Sequence, residues 1–445
     1  MKRSSILLTV LVAIWFTACG TQDWQTTQVK PEPITILGAK LIDGTGAEPI
    51  DDSVVVIEGT RIQAAGSRAE IPVPKGGQII DGTGKTVIPG LIELHAHYFG
   101  GRAEMERLLR AQLRFGVTTS RSMGADTAEH LAVIDNARAR KIPAPRLYTS
   151  GLGFTHPDGH PAQLAFVRRP ATEEAARAGV AELGTQKVDF IKIWVESKNG
   201  TLPKITPAMR QVIIEEASKR HIPVVAHIFD LEDVKQLVDL GVRQFLHTVR
   251  DTDDISAEFL DRLKAEGVSF IPTFSVAQRP WYFAENPGEL DDPELRSSLD
   301  PALLADILKE ETRRKMLADP MLAQLKDEYA RGERFMMKLA GHGIPIGAGS
   351  DSGAGVIAMG WGTHHEMQLL VKAGLTPMQA LRAATGEAAA LLSENEPSFG
   401  TIEPGKAADL LILDADPLAD IANTRKIQRL MQGGQWIDQD GMLTQ

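Results

Sequence analysis

The amino-acid sequence predicts an α/β protein, a (β/α)8 TIM barrel accompanied by a small β-sandwich to which both chain ends contribute. Two observations lead to this fold class. Short apolar segments alternate with helical segments through the middle of the chain, and short β segments with glycine-rich turns occupy both ends. Alternation of this kind indicates parallel βα units, and eight units form a barrel. The predicted barrel strands are a run that ends at His95 and the segments 116–120, 146–150, 190–195, 223–227, 244–247, 268–274 and 344–348.

Helical segments separate these strands. They are predicted at 103–115, 128–141, 173–184, 207–220, 231–240 and 255–266. A longer helical insertion covers about 280–342 and mixes charged residues with leucine and methionine. Two interpretations of the insertion remain open. Its helices either pack on the barrel as amphipathic supports or form a lid over the substrate site, because long barrel loops border active sites.

The two chain ends carry the pattern of β hairpins. After a first strand at 34–42, residues 53–57 and 61–65 alternate around Glu58-Gly59-Thr60, which is a turn signal. Strands at 78–80 and 86–88 are predicted to form another hairpin through a turn at Asp81-Gly82-Thr83-Gly84, and further strands are predicted at 410–413, 428–431 and 435–437. We therefore predict a β-sandwich from 34–88 and 400–442 and a barrel from 89–399.

Length and charge narrow the functional classes. The chain has 445 residues, which is enough for one large barrel with an accessory domain. Its formal net charge of −10 argues against a nucleic-acid-binding protein, which would depend on basic contacts to phosphate. A nucleic acid is therefore not an expected partner, whereas a small-molecule substrate and a homo-oligomer are both compatible with the sequence.

The first residues have the pattern of an export signal. Lys2 and Arg3 precede a short apolar run, and Phe16-Thr17-Ala18-Cys19 resembles a bacterial lipobox, with Phe16 in place of the usual leucine. Cys19 is the only cysteine, so it cannot form an internal disulfide, and its position suits lipidation. We expect a signal peptide over 1–18, a flexible tether over 19–33, and a periplasmic or outer-membrane-anchored bacterial lipoprotein. An ordinary secretory signal with an incidental cysteine is the alternative.

Ionisable side chains collect where the predicted strands end. They are His95 and His97 after the first strand, Lys192 in the fourth, His227 and His247 at the ends of the fifth and sixth, and Asp351 after the eighth. Imidazoles and carboxylates are common ligands of divalent metals. The chain holds 11 histidines, so one or two could fall there by chance, but four together with an aspartate indicate a metal site.

Lys192 is the most informative single residue, because it lies between Ile191 and Ile193 in an apolar strand. A buried lysine needs a partner or loses its charge. One interpretation is a salt bridge to a nearby carboxylate. The other is a lysine of lowered pKa that captures carbon dioxide as a carbamate, an anion with two oxygens that can bridge two metal ions.

Short motifs spread along the chain together resemble a known family. They are Pro89-Gly-Leu-Ile-Glu-Leu-His-Ala-His97, Gly116-Val-Thr-Thr119, Ile191-Lys-Ile193, Ala226-His227, His247, Gly349-Ser-Asp351 and the segments 380–389 and 400–410. In combination they resemble the amidohydrolase superfamily of metal-dependent hydrolases over nearly all of 34–440. The resemblance is closest to the branch that contains imidazolonepropionase-like proteins and binuclear Xaa-Pro dipeptidases.

This resemblance implies a centre of two divalent ions, with zinc expected and manganese or cobalt also suitable. It implies that one ion is held by His95, His97 and Asp351 and the other by His227 and His247, with carboxylated Lys192 bridging both. From this scheme we expect a hydroxide that bridges the ions to attack a carbonyl. Asp351 then acts as general base and afterwards as general acid.

Three further residues are candidates for substrate binding. His160 could orient the carbonyl or a substrate carboxylate, or could be a loop histidine that hydrogen-bonds the backbone. His156 has a weaker claim, and Tyr98 is a candidate for lining the pocket. The chain departs from the family where Glu93 replaces the usual aspartate and where Asp158-Gly159-His160 only partly matches a Gly-Gly-His motif.

The resemblance implies hydrolysis of a C–N bond in a dipeptide, an N-acyl amino acid or a cyclic amide. A deaminase or a phosphotriesterase-like hydrolase on the same fold is an alternative, and so is a non-catalytic binding lipoprotein. Deaminases usually work with one metal and lack the lysine of the fourth strand, so Lys192 counts against that alternative. The remaining histidines are predicted to be structural: His130, His221, His342, His364 and His365.

Overall fold

The computed structural model of the protein describes residues 32–393, 396–439 and 441. The predicted signal peptide over 1–18, the predicted lipidation site Cys19 and nearly all of the predicted tether lie outside the described residues, as does the predicted domain limit at 442. None of the helices in the described part of the chain has the length and apolar character needed to cross a bilayer.

Strands and helices alternate through the described residues. The strands are β1 (Ile34–Leu41), β2 (Ile50–Glu58), β3 (Arg61–Ser67), β4 (Gln78–Asp81), β5 (Thr86–Pro89), β6 (Leu91–Ala96), β7 (Val117–Ser122), β8 (Arg146–Thr149), β9 (Ile191–Trp194), β10 (Val224–His227), β11 (Gln244–Leu246), β12 (Ser269–Ile271), β13 (Leu410–Leu413), β14 (Ile427–Gln432) and β15 (Gln435–Ile437). The α-helices are α1 (Arg102–Arg114), α2 (Ala128–Arg138), α3 (Glu173–Thr185), α4 (Pro207–Ser218), α5 (Leu231–Asp239), α6 (Ala257–Ala265), α7 (Phe274–Gln278), α8 (Tyr282–Glu285), α9 (Pro293–Ser298), α10 (Pro301–Ile307), α11 (Glu310–Leu317), α12 (Leu322–Gly341), α13 (Trp361–Lys372), α14 (Pro377–Ala383) and α15 (Gly386–Leu392). Short 3-10 helices cover Pro287–Asp291 and Ile421–Arg425.

Strands from both chain ends form one eight-stranded sheet, in the order β15-β14-β13-β5-β1-β2-β3 with β4 paired to β1. The sheet has an apolar core of its own, in which residues of widely separated strands pack together, among them Ile36, Val55, Ile62, Val87 and Ile412. The two chain ends therefore contribute to a shared β domain.

Strands β4 and β5 differ from the prediction, because they do not form a hairpin. Each pairs in parallel with β1, β4 along 34–37 and β5 along 40–41. Between them, the amide of Gly82 donates to the carbonyl of Leu37, and the amide of Lys40 donates to the carbonyl of Lys85. The glycine-rich segment is thus a step along one edge of β1 and not a reversal of the chain.

Seven parallel strands form the middle of the chain in two sheets, β6-β7-β8 and β12-β11-β10-β9. One gap between the sheets is bridged where the amide of Asp189 donates to the carbonyl of Thr149 at 2.8 Å. Helices pack against these strands through a large shared apolar cluster. The predicted alternation of strands and helices is therefore present in the structure.

The predicted strand at 344–348 is not a regular strand. It bridges the other gap through separate hydrogen bonds, since Gly347 N–H donates to Phe270 O at 2.9 Å and Leu94 N–H donates to Ala348 O at 3.1 Å. A single β-bridge joins Phe270 and Ile346. Pro345 has no amide hydrogen, which interrupts a continuous ladder at this segment.

Strand β12 is shorter than predicted and ends at Ile271. Pro272 follows, and Thr273 has a left-handed φ of +57°, which lies outside the β region. Helix α7 begins at Phe274, a residue that had been assigned to the strand. The turn between β12 and α7 lies beside the functional site.

Several helices begin where a hydroxyl side chain caps them. Thr127, Thr172, Thr206 and Ser256 each accept a hydrogen bond from the backbone amide three residues later. Such caps satisfy amides that would otherwise lack a partner in the first turn. They define where each loop ends and therefore how much chain lies between a strand and its helix.

The predicted insertion contains α8 to α12 and a 3-10 helix. Apolar side chains from it, including Phe283, Leu290 and Leu295, pack against Ile357 and Trp361. This contact supports the interpretation that the insertion packs on the rest of the α/β region, at α13 and the loop before it.

Candidate metal centre and active site

A cavity of about 350 Å³ lies where the parallel strands end. Six of the predicted site residues line it, namely His95, His97, His160, His227, His247 and Asp351. Phe99, Trp194, Glu196, Lys198 and Arg250 line it as well. The strand-end pattern seen in the sequence therefore corresponds to a single place in the structure.

His95, His97 and Asp351 form one compact group. Nε2 of His95 and Nε2 of His97 lie 3.3 Å apart, and they lie 3.4 Å and 3.1 Å from Oδ1 of Asp351. His95 and His97 share a face because side chains alternate along an extended segment. Asp351, which contacts both histidines, has a left-handed backbone with a φ of +58°.

His227 and His247 extend this group along the neighbouring strand ends. Their ring centroids lie 4.1 Å apart, and the rings of His247 and His95 lie 5.2 Å apart. Nε2 of His247 is buried and has no hydrogen-bond partner within the described chain. Such a nitrogen can present a lone pair to a cation when the ring proton is on Nδ1.

Lys192 is fully buried, and its Nζ has no hydrogen-bond partner among the described residues. The predicted alternative, a salt bridge from Lys192 to a carboxylate, is therefore not found within the part of the chain that the structure describes. Its strand position pairs with Val225, two residues before His227, and its stem packs against Gly124 and Gly153, where a Cβ would come within 3.0 Å. Burial lowers the pKa of Lys192 well below its ordinary value.

The protonation states of the group suit a divalent cation. Burial holds the pKa of His95, His227 and His247 well below the ordinary histidine value, so these imidazoles are neutral. Burial alone would raise the pKa of Asp351, but His95 and His97 hold it well below its ordinary value. Neutral imidazoles, an ionised carboxylate and unpartnered buried nitrogens together fit a metal such as zinc.

Glu93 holds in place the backbone that carries His95 and Asp351. Its buried carboxylate accepts hydrogen bonds from the amides of His95 (2.8 Å) and Ser350 (2.9 Å) and from the hydroxyls of Ser350 (2.7 Å) and Thr363 (2.8 Å). Burial raises the pKa of Glu93 to about 7, and the donated hydrogen bonds oppose that rise. Through these contacts it ties β6 to the loop that carries Asp351.

Glu196 is a buried carboxylate of the cavity that the sequence analysis missed. Its Oε2 lies 2.5 Å from Nε2 of His227, 2.8 Å from Nζ of Lys198 and 3.8 Å from Nε2 of His160. His160, Glu196 and His227 could together hold a metal ion. Burial, followed by the charge of Lys198, lowers the pKa of His160 to about 4, so His160 is neutral near pH 7.

Arg250 is the second functional residue that was missed. Its guanidinium stacks over Phe229 at 4.7 Å, and its buried Nε has no hydrogen-bond partner in the chain as described. It lines the same cavity as His227 and His247. Burial is the main cause of the lowered pKa of those two histidines, and the charge of Arg250 adds to it. Glu196 lies four residues after Lys192, and Arg250 lies three residues after His247. A search for ionisable residues in the few positions after each predicted strand would have found both.

The structure corrects two predicted substrate residues. Tyr98 is fully buried away from the cavity, where its hydroxyl donates to Gln112 at 2.6 Å and contacts Ser120 at 2.9 Å. Since side chains alternate along this segment, His97 and Phe99 face the cavity and Tyr98 faces the opposite side. Nδ1 of His156 accepts from the amide of Asp158 at 3.1 Å, and this side chain does not line the cavity.

The loop that carries His160 is held by Arg169. One guanidinium nitrogen donates to the carbonyls of His156 (3.0 Å), Pro157 (3.2 Å) and Gly159 (3.1 Å), and the other donates to Pro161 at 2.6 Å. The guanidinium thus orders a turn that has no regular secondary structure.

The insertion also contributes to the cavity. Leu325 of α12 and Pro280, just before α8, line it, and Val276 and Arg279 line it from the α7 region. The insertion therefore both packs on the molecule and borders the site, so neither of its two predicted roles excludes the other.

Comparisons with known proteins agree with this geometry. Residues 86–437 match the model of the amidohydrolase family. An ochratoxinase from Aspergillus niger is 23% identical over 441 residues, covering 87% of this chain and 82% of that protein. An imidazolonepropionase from Alkaliphilus metalliredigens (strain QYMF) is 25% identical over 410 residues, covering 82% of this chain and 85% of that protein.

A solved structure of a Xaa-Pro dipeptidase with methionine in its active site superposes with a TM-score of 0.71 at 23% identity, covering 91% of this chain and all of that chain (100%). This likeness concerns the fold and implies a TIM barrel with an extra β domain, which accords with the parallel strands and the β domain described above. Because the family model spans most of the sequence, this chain belongs to the amidohydrolase family.

Proposed function

We propose that this protein is a metal-dependent hydrolase that cleaves the C–N bond of a small acylated amine, such as a dipeptide, an N-acyl amino acid or a cyclic amide. The observation that carries the proposal is the convergence of His95, His97, His227, His247 and Asp351 on one cavity with Lys192 buried and unpartnered beside them. Family membership supports a hydrolase, and the residues supply the chemistry.

In this proposal the chain holds two divalent ions. His95, His97 and Asp351 would hold one, and His227 and His247 the other, with Lys192 shared after its amine has added carbon dioxide and released a proton. Zinc fits these ligands, and manganese or cobalt also suits them. Such ions supply Lewis acidity, which lowers the pKa of water and polarises a carbonyl.

Glu196 must change its contacts for this centre to form. Its Oε2 now lies against Nε2 of His227, which is the atom proposed to bind an ion. Binding would replace that hydrogen bond. Glu196 would then remain paired with Lys198, or join the ligands of the second ion beside His160.

The proton steps fall to Asp351 and the orientation of substrate to His160. Asp351 is ionised and central, so it can accept a proton from the attacking water and return it to the leaving nitrogen. A neutral His160 can donate a hydrogen bond to a carbonyl or carboxylate without requiring a charge of its own. Hydrolysis of the amide then yields a carboxylic acid and an amine.

Arg250 favours a substrate with a carboxylate. The buried Nε of Arg250 has no hydrogen-bond partner among the described residues, and a guanidinium offers paired N–H donors in the geometry that a carboxylate accepts. An N-acyl amino acid or a dipeptide carries such a group next to its amide nitrogen. A deaminase acting with one metal would leave the buried Lys192 without a role.

A hydrolysis screen tests the proposal. Protein reconstituted with zinc and bicarbonate is assayed against N-acyl amino acids, Xaa-Pro dipeptides and cyclic amides, with Asp351→Asn as control. We expect release of amine by the wild type, loss of release on chelation and loss in the variant. Hydrolysis that survives complete removal of metal would contradict a metal-dependent reaction.

We further propose that the chain is exported and lipidated on Cys19, a proposal supported by the sequence alone. Mass spectrometry of the mature protein from a bacterial host is expected to show an acylated N-terminal cysteine. A mature chain that begins elsewhere, or an unmodified Cys19, would contradict it.

A further inference from the structure

Among the non-glycine residues in and beside the cavity that have left-handed backbone are His247, Thr273 and Asp351. Their φ angles are +70° at His247, +57° at Thr273 and +58° at Asp351. His247 and Asp351 are proposed ligands, but Thr273 does not line the cavity. A β-branched residue rarely adopts this conformation, because its side chain crowds the backbone. The side chain of Thr273 therefore needs a role that glycine could not fill.

The hydroxyl of Thr273 links His247 to a backbone carbonyl. Its Oγ1 lies 2.7 Å from the carbonyl of Pro272 and 2.5 Å from Nδ1 of His247. A carbonyl only accepts, so the hydroxyl donates to Pro272 and its oxygen accepts from Nδ1–H of His247. The ring proton of His247 then resides on Nδ1, and Nε2 has a free lone pair.

Neighbouring contacts hold both residues in place. The carboxylate of Glu366 accepts from the amides of Phe274 (2.8 Å) and Ser275 (2.7 Å) and from the hydroxyl of Ser275 (2.7 Å). This anchors the backbone immediately after Thr273 to α13. The amide of His247 donates to the carbonyl of Ile271 at 2.7 Å, which anchors the other end of the link.

We propose that Thr273 is a positioning residue that selects the Nδ1–H tautomer of His247 and so directs Nε2 toward a divalent ion. The inference rests on the proposed function in that it takes His247 as a ligand. Thr273 itself binds no ion, because its hydroxyl is committed to Pro272 and His247. Partners of this kind orient a metal-binding imidazole and raise its basicity.

Three substitutions separate positioning from a purely structural role. Thr273→Ser keeps the hydroxyl. Thr273→Val keeps the branched shape and the backbone strain but loses the hydroxyl. Thr273→Gly loses the hydroxyl and relieves the strain, so it is expected to fold at least as stably as the wild type.

The first readout is zinc affinity, measured by competition with a chromophoric chelator after reconstitution in bicarbonate. We expect Thr273→Ser to match the wild type, and Thr273→Val and Thr273→Gly to bind the weaker ion roughly 10- to 100-fold less tightly. Wild-type affinity in the glycine variant, or equal losses in all three variants, would overturn the inference.

The second readout is the ¹⁵N spectrum of histidine side chains in the metal-free protein, with His247 assigned by comparison with His247→Asn. We expect the Nδ1-protonated pattern in the wild type and in Thr273→Ser and its loss in Thr273→Val. An Nε2-protonated wild type would refute the tautomer assignment. Absence of zinc uptake by a wild type with the expected tautomer would instead refute the proposed metal centre.

Discussion

Buried polar atoms without hydrogen-bond partners are the feature of individual residues that bears most on chemistry in this cavity. Asp351 and Glu196 have partners within it, whereas Lys192 has no hydrogen-bond partner and the buried Nε of Arg250 has none among the described residues. A buried polar group without a partner is costly, and native proteins keep such groups where a ligand or a modification satisfies them. This is why we propose metal binding for Lys192 and substrate binding for Arg250.

The role of Arg250 predicts a change confined to acidic substrates. Arg250→Met keeps an apolar stem over Phe229 but removes the donors. KM for an N-acyl amino acid should rise roughly 10- to 100-fold, the effect of losing a charge-assisted hydrogen bond. KM for the same compound with its carboxylate amidated should be unchanged.

The matched control is Arg262→Met, since Arg262 pairs with Asp239 and Glu266 away from the cavity. KM for the acid and for its amide is measured in the wild type, in Arg250→Met and in Arg262→Met. An equal rise in KM for both substrates would show that Arg250 has no part in recognising the carboxylate.

The sequence predicted the site best where residues lie on regular strands or directly after them. The convergence of His95, His97, His227 and His247 follows from their positions at strand ends, because parallel strands end at one edge, whereas the role of Lys192 as a ligand came from the family resemblance. Tyr98 was misplaced because the alternation of side chains beyond β6 was not applied to it. Thr273 could not be predicted, since its role depends on a left-handed turn that no local pattern announces.

Among the elements, the loop from His156 to Pro161 depends on a single side chain outside it. Arg169 donates to four of its carbonyls. Lysine has the same charge but lacks the planar fork, so it cannot make these bonds together. Arg169→Lys should therefore loosen the loop and displace His160.

We expect Arg169→Lys to lower kcat/KM roughly 10- to 100-fold, as displaced orienting groups do, with zinc content unchanged. Arg168→Lys is the control, because Arg168 pairs with Glu182 on the exposed side. The paired measurement is steady-state kinetics with metal analysis. A loss of zinc in Arg169→Lys would show that the loop supports the ligands and not the substrate.

Helix α13 predicts a dependence of stability on pH. His364 is fully buried, between the carbonyl of Phe115 and the hydroxyl of Thr424 at 2.8 Å each, and burial lowers its pKa from 6.5 to about 4. Because the unfolded chain takes up the proton first, the stabilisation is complete above pH 6.5 and is lost as pH falls toward 4. At pH 5 the stabilisation lost is about 2 kcal/mol.

Urea denaturation at pH 7 and pH 5 measures this contribution. His364→Gln retains a donor and an acceptor but does not titrate. The wild type should lose about 2 kcal/mol more than the variant between the two pH values. Equal losses would show that His364 is not the group responsible.

The elements that departed from the prediction share a physical cause. Proline or a left-handed residue interrupts the predicted strand, as Pro345 does in the segment 344–348 and as Thr273 does after β12. Apolar periodicity detects neither. Strands β4 and β5 were placed correctly along the sequence, but their pairing with β1 depends on contacts distant in sequence, which a turn signal cannot reveal.

Across the whole molecule, the β domain helps to position His95 and His97, two of the proposed metal ligands. Strand β5 pairs with β13, and the amide of Gly90 donates to the carbonyl of Asp409 at 2.9 Å just before β6 begins. A Cβ at Gly90 would lie 2.3 Å from Oγ1 of Thr118, so only glycine allows this close passage. The strand that ends at His95 and His97 therefore starts from an anchor supplied by the other end of the chain.

This long-range arrangement was predicted in outline, because both ends had β character and the middle alternated. The domain limits at 88 and 399 stay predictions. The participation of β13 in the support of β6 could not be foreseen, since it rests on pairing between segments more than 300 residues apart.

The number of metal ions per chain tests the central claim most directly. Wild type and Lys192→Ala are stripped of metal and reconstituted with zinc and bicarbonate. The zinc content per chain is then measured by elemental mass spectrometry. The account predicts two ions per wild-type chain and one or none in the variant. Two ions in Lys192→Ala, or none in the wild type, would contradict it.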